Sequence, residues 1–223
     1  MTLSVDNLIL HQGEQPLFGP LSFSVAKGEI FTLMGPSGCG KSTLLSAIAG
    51  HIARPFQVTG NVMLNDIPML PLTPNARKIG LLFQDDLLFP HLTVVENLMF
   101  GLPKHYRGNE RRMHAMHTLD MLGLSALRNN LPQALSGGQR ARISVMRMLL
   151  SEPHAVLLDE PFSKLDKALR TAFRQFVFDQ IRTRQIPAIM VTHDDDDVPP
   201  QGRVLHWPWP SLPSDPALEP LSC

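Results

Sequence analysis

Cysteine is nearly absent: Cys39 and Cys223 are the only two in 223 residues. One lies inside a Gly-rich stretch and the other at the last position. That excludes a disulfide-scaffolded domain and a cysteine-liganded zinc site, and it suits a reducing compartment. Charge is also scarce, at 18% of residues, and the 20 basic side chains balance the 20 acidic ones. A zero net charge excludes a polyanion binder working through bulk charge, so no nucleic-acid partner is expected. No window approaches the roughly 18 unbroken apolar residues of a membrane span. The opening residues carry neither a basic region nor an apolar stretch, so no signal peptide is expected. Internal repeats are missing too. What remains, 43% hydrophobic over 24.8 kDa, is the balance of a soluble, intracellular, globular chain with ample core.

Short apolar runs alternate with helical patterns, which predicts an α/β domain. Strands are expected over 3–10, 21–25, 30–34, 58–64, 79–83, 155–158 and 188–192, with a short one over 203–207. The clearest helix follows Asp166. There Leu169, Ala172, Phe173, Phe176, Val177 and Ile181 make one apolar face, with Arg170, Arg174, Asp179 and Arg182 mostly outside it. Between Phe83 and Ala155 the strand signal gives way to helices over 93–100, 111–122 and 138–150, an insertion within the α/β core. Its methionines (Met99, Met113, Met116, Met121, Met146, Met148) read as adaptable core packing. Residues 199–223 are proline-rich and predict an irregular end.

The run Ile30 to Met34 leads directly into Gly35-Pro36-Ser37-Gly38-Cys39-Gly40-Lys41-Ser42-Thr43, and a helical pattern follows. This is G-x-x-x-x-G-K-S with the strand before it and the helix after it that the motif requires. Glycines let backbone N–H groups turn inward around a phosphate, and the helix N-terminus adds its dipole. Lys41 is placed to reach the β- and γ-phosphates and Ser42 to bind Mg²⁺. Cys39 occupies a position where residue type is free and reads as an incidental thiol.

Residues 155–158 are apolar and end in Asp159 and Glu160. An acid there can hold Mg²⁺ opposite the phosphates, a role for Asp159, while Glu160 is suited to polarise an attacking water. Leu135-Ser136-Gly137-Gly138-Gln139 precedes another helix and makes a second anion site in a chain whose nucleotide already has one.

That pentapeptide resembles the LSGGQ signature of ATP-binding-cassette (ABC) proteins, and the order of the remaining motifs is similar to that family over residues 3–194. Gln84 resembles its Q-loop glutamine, Ser163-Lys164-Leu165-Asp166 its D-loop, and Thr192-His193-Asp194 its switch histidine. Leu88-Phe89-Pro90-His91-Leu92-Thr93-Val94 is similar to the segment after the Q-loop in bacterial importer subunits. The resemblance implies a P-loop NTPase core with an antiparallel β subdomain and a helical signature subdomain. Residues 1–206 would form the ATPase domain, with the helical subdomain over about 87–150 and a Pro-rich tail over 207–223. It also implies a head-to-tail homodimer, each ATP lying between one phosphate loop and Ser136, Gly137, Gly138 and Gln139 of the other subunit, with Asp166 at the same face. Ser42 and Gln84 would contact Mg²⁺ together with Asp159. Glu160 would be the general base, and His193 would hold the γ-phosphate and the water in line. Phe89 and His91 are candidates to face a membrane partner.

Two features depart from the family pattern. Gln12 stands where the family usually stacks adenine on an aromatic, and Asp194 to Asp197 form an acidic run that reads as a solvated turn. A repair or chromosome ATPase of this class would carry a long coiled coil between phosphate loop and signature, yet fewer than a hundred residues and no heptads separate Ser42 from Leu135. A translation-factor ATPase would carry two cassettes. A small-molecule kinase leaves the signature and His193 unexplained, and a poorly hydrolysing nucleotide-binding module is supported by Gln12 alone. The expected function is the ATP-hydrolysing subunit of an ABC transporter, more readily an importer than an exporter, with a soluble, transport-independent ABC ATPase as the alternative. It would work at the cytoplasmic face of the inner membrane with separate permease subunits and a solute-binding protein.

Overall fold

Two strands of unequal character begin the chain. In the computed structural model, which describes residues 1–163 and 165–209, β1 (Thr2–Gln12) and β2 (Gln15–Ala26) form an antiparallel hairpin. β4 (Phe56–Leu64) pairs with the other edge of β1, and the short β5 (Ile67–Pro68) extends that sheet in the order β2-β1-β4-β5. The second sheet is parallel, with β3 (Ile30–Met34), β6 (Ile79–Leu82), β7 (Ala155–Asp159), β8 (Ala188–Thr192) and β9 (Arg203–His206) in the order β6-β7-β8-β3-β9. Lys164 and the proline-rich residues from 210 onward lie outside the described residues.

The near-continuous apolar runs follow from burial on both faces, as parallel sheets require. Side chains alternate along each strand. Val156, Leu158, Ala188 and Met190 face one core with the helices α3 (Val94–Gly101), α4 (Gly108–Met121), α5 (Gly137–Leu149) and α6 (Lys167–Arg184). Ala155, Leu157, Ile189 and Val191 face the other, where Leu44, Leu45 and Ile48 of α1 (Lys41–Ala49) meet Leu3, Leu8 and Leu10 of the antiparallel sheet.

Helix starts follow local chemistry. Thr93 and Ser136 each make a reciprocal capping box, with Glu96 and Gln139 respectively, which sets the starts of α3 and α5. A one-turn helix, α2 (Pro74–Arg77), carries a buried arginine whose guanidinium donates to Ala47 O (2.9 Å) and Ile48 O (2.7 Å) at the C-terminal end of α1.

Several expectations shift. The apolar stripe of α6 is displaced at its start: Leu169 is exposed and Ala172 faces solvent, whereas Phe178 is buried. Leu169 reaches toward Gly138 at the start of α5, so that end of the stripe meets another helix terminus instead of the sheet. Met146 is buried and Met99, Met116 and Met148 pack on the core, but Met113 and Met121 are 64% and 59% exposed and are not core. The acidic run forms a 3₁₀ turn (Asp195–Asp197) in which Asp197 is buried, not solvated.

Candidate active site at the carboxyl edge of the parallel sheet

β7, β8 and β3 are adjacent and parallel, so their carboxyl ends open on one edge, where open α/β sheets bind ligands. The phosphate loop leaves β3 after Met34, Asp159 ends β7, and His193 follows β8 at Thr192, which pairs with Met34. Topology thus gathers residues that lie more than a hundred positions apart.

Gly38 and Gly40 have φ of 87° and 94°, the left-handed region that only glycine adopts without strain. At Gly40 a Cβ would also stand 2.8 Å from the Phe18 ring. Lys41 begins α1 and is 4% exposed; its Nζ donates to Gly35 O and Pro36 O at 2.8 Å each, which closes the loop on itself. The same nitrogen is 3.8 Å from Glu160 Oε1. Cys39 is half-buried, and its sulfur occupies the space beside Gly35, where a Cβ would come within 2.9 Å. Pro36, Ser37 and Thr43 complete the turn and the first helical residues.

Ser42 Oγ donates to Asp159 Oδ1 at 2.9 Å. Burial pushes the Asp159 carboxyl above its ordinary pKa; the Ser42 hydrogen bond and Lys41 oppose the rise, and the charge on Glu160 adds to it. A hydroxyl beside a carboxylate that is costly to ionise in place is a hard-oxygen donor set that fits a divalent cation completed by phosphate oxygens. Among the described residues no group of three or more His, Cys, Asp or Glu could hold a metal alone.

Glu160 sits at φ 44°, which costs about 1 kcal/mol for a residue with a side chain. The kink is held by its N–H to Val191 O (3.0 Å) and by Ser163 Oγ donating to its carbonyl (2.9 Å). Its Oε1 lies 3.1 Å from His193 Nδ1, so Lys41, Glu160 and His193 converge. Gln84 lies past the end of β6 and donates from Nε2 to Ser163 Oγ at 3.2 Å, not to Ser42 or Asp159.

Other expected residues stand apart. Ser136 and Gln139 bond each other: Gln139 N–H donates to Ser136 Oγ (3.3 Å) and Ser136 N–H to Gln139 Oε1 (2.9 Å). Gly137 is exposed beside them, whereas Gly138 is covered by Leu169. Asp166 accepts the Leu169 N–H at 3.0 Å and caps α6. Gln12 is exposed at the tip of the β1–β2 hairpin, across from Gln15. Phe89 is half-buried against Phe100, at 4.5 Å between ring centroids, while His91 is exposed.

One support went unread in the sequence. Trp207 N–H (2.8 Å) and the Trp209 indole N–H (3.2 Å) both donate to Met34 O, immediately before the phosphate loop. Trp209 is 2% exposed and packs edge-on against Phe18, 5.0 Å between centroids. The W-P-W triplet was the available signal, obscured by the prolines around it.

A phosphate loop and a strand-end acid pair at this sheet edge, with a signature-like start to α5 apart from them, define a P-loop ATPase, and the ABC transporter family model matches residues 18–163. The chain belongs to the ABC transporter family and is an ATP-binding, ATP-hydrolysing member of it. Over 203 residues it is 48% identical to the uncharacterized ABC transporter ATP-binding protein YnjD of Escherichia coli K12, covering 91% of this chain and 94% of that one. The spermidine/putrescine import ATP-binding protein PotA of Bacillus cereus is 37% identical over 87% of this chain, and the Fe(3+) ions import ATP-binding protein FbpC of Haemophilus influenzae is 38% identical over 87%. The chain spans 59% and 56% of the length of those two relatives. No described helix is long and apolar enough to cross a membrane.

Proposed function

We propose that this chain is the energising subunit of an importer, working as a head-to-tail homodimer against separate permease subunits supplied by a solute-binding protein. The observation that carries the catalytic part is the convergence of Lys41, Glu160 and His193 on one edge, with Ser42 and Asp159 paired beside them. Ser136 and Gln139 pair with each other at an exposed helix start, which supports their meeting a nucleotide held by a second subunit. Residues 1–206 act as one cassette, with about 87–150 as its helical subdomain, at the cytoplasmic face of the inner membrane. Names of relatives that import polyamines or iron support the direction of transport and leave the solute open.

Within the site, Lys41 and the backbone N–H groups from Gly35 to Thr43, apart from Pro36, which has none, hold the phosphates. Ser42 and Asp159, joined by Gln84 once it leaves Ser163, would hold Mg²⁺, which would neutralise charge on the phosphate oxygens. Glu160 accepts the proton of a water whose oxygen attacks the γ-phosphorus, and ADP leaves as phosphate forms. His193 orients that water through its 3.1 Å contact with Glu160. Asp166 contributes from the dimer face, and Gln12 covers the base less firmly than an aromatic would.

Glu160→Gln tests this reading. Hydrolysis is expected to fall by about 10² to 10⁴, while ATP still binds and drives a dimer visible by size exclusion. Wild-type turnover in the variant would remove Glu160 from its role. Tagged chain drawn from gently solubilised native membranes is expected to bring a multi-span permease; soluble partners alone would leave the ATPase standing without the transport function.

A further inference from the structure

The turn after β8 is gripped by an ion pair, its carboxylate buried and its guanidinium partly exposed, that the residue roles above do not use. Asp197 is 1% exposed. Its Oδ1 accepts from Arg170 Nε at 2.8 Å, and its Oδ2 accepts from a terminal guanidinium nitrogen of Arg170 at 2.6 Å and from Thr192 Oγ1 at 3.0 Å. The same Arg170 nitrogen is 2.8 Å from Asp194 Oδ2. Thr192 Oγ1 in turn accepts the Asp194 N–H at 3.2 Å. Arg174 adds a longer contact to Asp197, at 3.8 Å, and donates to the Asp196 carbonyl. His193 therefore lies between two residues, Thr192 and Asp194, that are both tied to one pair joining Asp197 of the turn to Arg170 of α6.

His193 itself is poorly restrained. Its side chain is 51% exposed, and among the described residues its polar partner is Glu160. An imidazole with so little packing takes its direction from its backbone, and a backbone in a turn is soft. An ion pair with a buried carboxylate is an inefficient source of stability, because desolvating the charge offsets much of the attraction. What a bidentate guanidinium–carboxylate pair supplies is fixed geometry.

We propose that Asp197 and Arg170 are positioning residues for His193: they clamp the two peptide units flanking the imidazole onto α6 and so set its aim at Glu160 and the reacting water. This rests on the role given to His193 above. A misplacement of about 1 Å in a catalytic group can cost roughly 10²-fold in rate, so loosening the clamp acts on turnover and not on nucleotide affinity.

The test is steady-state ATP hydrolysis by the purified full chain, with Asp197→Asn and Thr192→Val made singly and in a His193→Ala background. Thr192→Val removes the hydroxyl that joins Asp197 to the turn and keeps the ion pair, so it serves if Asp197→Asn does not fold. Each single variant is expected to lower kcat about tenfold or more with KM for ATP within about twofold. In the His193→Ala background neither is expected to lower kcat further, because the group being aimed is gone. Losses that multiply in that background, a rise in KM at constant kcat, or unchanged kinetics in a folded Asp197→Asn would each overturn the clamp alone. Full activity in His193→Ala would overturn the role of the imidazole and the clamp with it.

Discussion

The four consecutive aspartates after His193 differ only in surroundings, and surroundings decide their chemistry. Asp195 and Asp196 are exposed, Asp194 is half-buried and Asp197 is buried. The Asp194 carboxyl is held below the usual range, first by accepting the Asp196 N–H and, against an opposing effect of burial, by the Arg170 guanidinium. A carboxyl with a depressed folded pKa contributes stability above its unfolded pKa, and that contribution is lost as pH falls through the folded value. Asp194→Asn is therefore expected to melt below wild type near neutral pH. The two melting temperatures should converge as pH drops through and below the ordinary carboxylate value of about 3.9. Parallel curves across that range would show that the Asp194 charge contributes nothing. Sequence could name the acids but not rank them, because Arg170 reaches Asp197 from 27 positions away. Glu160 was legible as a strand-end acid; its φ of 44° was not, since it depends on hydrogen bonds to Val191 and Ser163.

Elements were legible where local chemistry sets them. The starts of α3 and α5 follow capping boxes written in four residues each, and the buried strands follow from near-continuous apolar runs. β5 and α2 escaped notice because neither is long enough to show a period. Yet α2 carries Arg77, which is 6% exposed and donates to four carbonyls: Ala47 and Ile48 of α1, and Leu70 and Leu72 (3.0 Å each) before α2. A cation at a helix C-terminus also meets the negative end of its dipole. Arg77→Met would strand those carbonyls, and a loss of about 3 kcal/mol is expected in urea unfolding. A change under about 1 kcal/mol would show that water replaces the guanidinium. Because α1 starts at Lys41, a loosened far end should also weaken the phosphate loop.

Across the whole molecule, the antiparallel sheet and α1 cover one face of the parallel sheet, and the helices α3 to α6 cover the other. This puts α1, which follows the phosphate loop, and α5, which follows the signature-like stretch, on opposite faces of the parallel sheet. Ser136→Arg, with a bulky cation at an exposed helix start, is expected to abolish the ATP-dependent dimer while sparing nucleotide binding by the monomer. Trp207 through its backbone N–H and Trp209 through its indole N–H both donate to Met34 O beside the loop, so a change in tryptophan fluorescence is expected on nucleotide binding. Loss of the fluorescence change along with the dimer would contradict a site shared between subunits.

The residue order alone determined the α/β class, the phosphate loop, the acid pair after β7 and the family signature, because each is a contiguous pattern whose chemistry is complete within about ten positions. Tertiary structure decided which of those patterns meet. Parallel pairing of β7, β8 and β3 brings Glu160 to Lys41 and His193. Packing of α6 on the turn after β8 converts an acidic run into a clamp anchored on the buried Asp197, and Trp209 closes on Phe18 from the far end of the described chain. Contacts of that kind depend on strand order and on which side of a helix faces inward, and no stretch of neighbouring residues encodes either one.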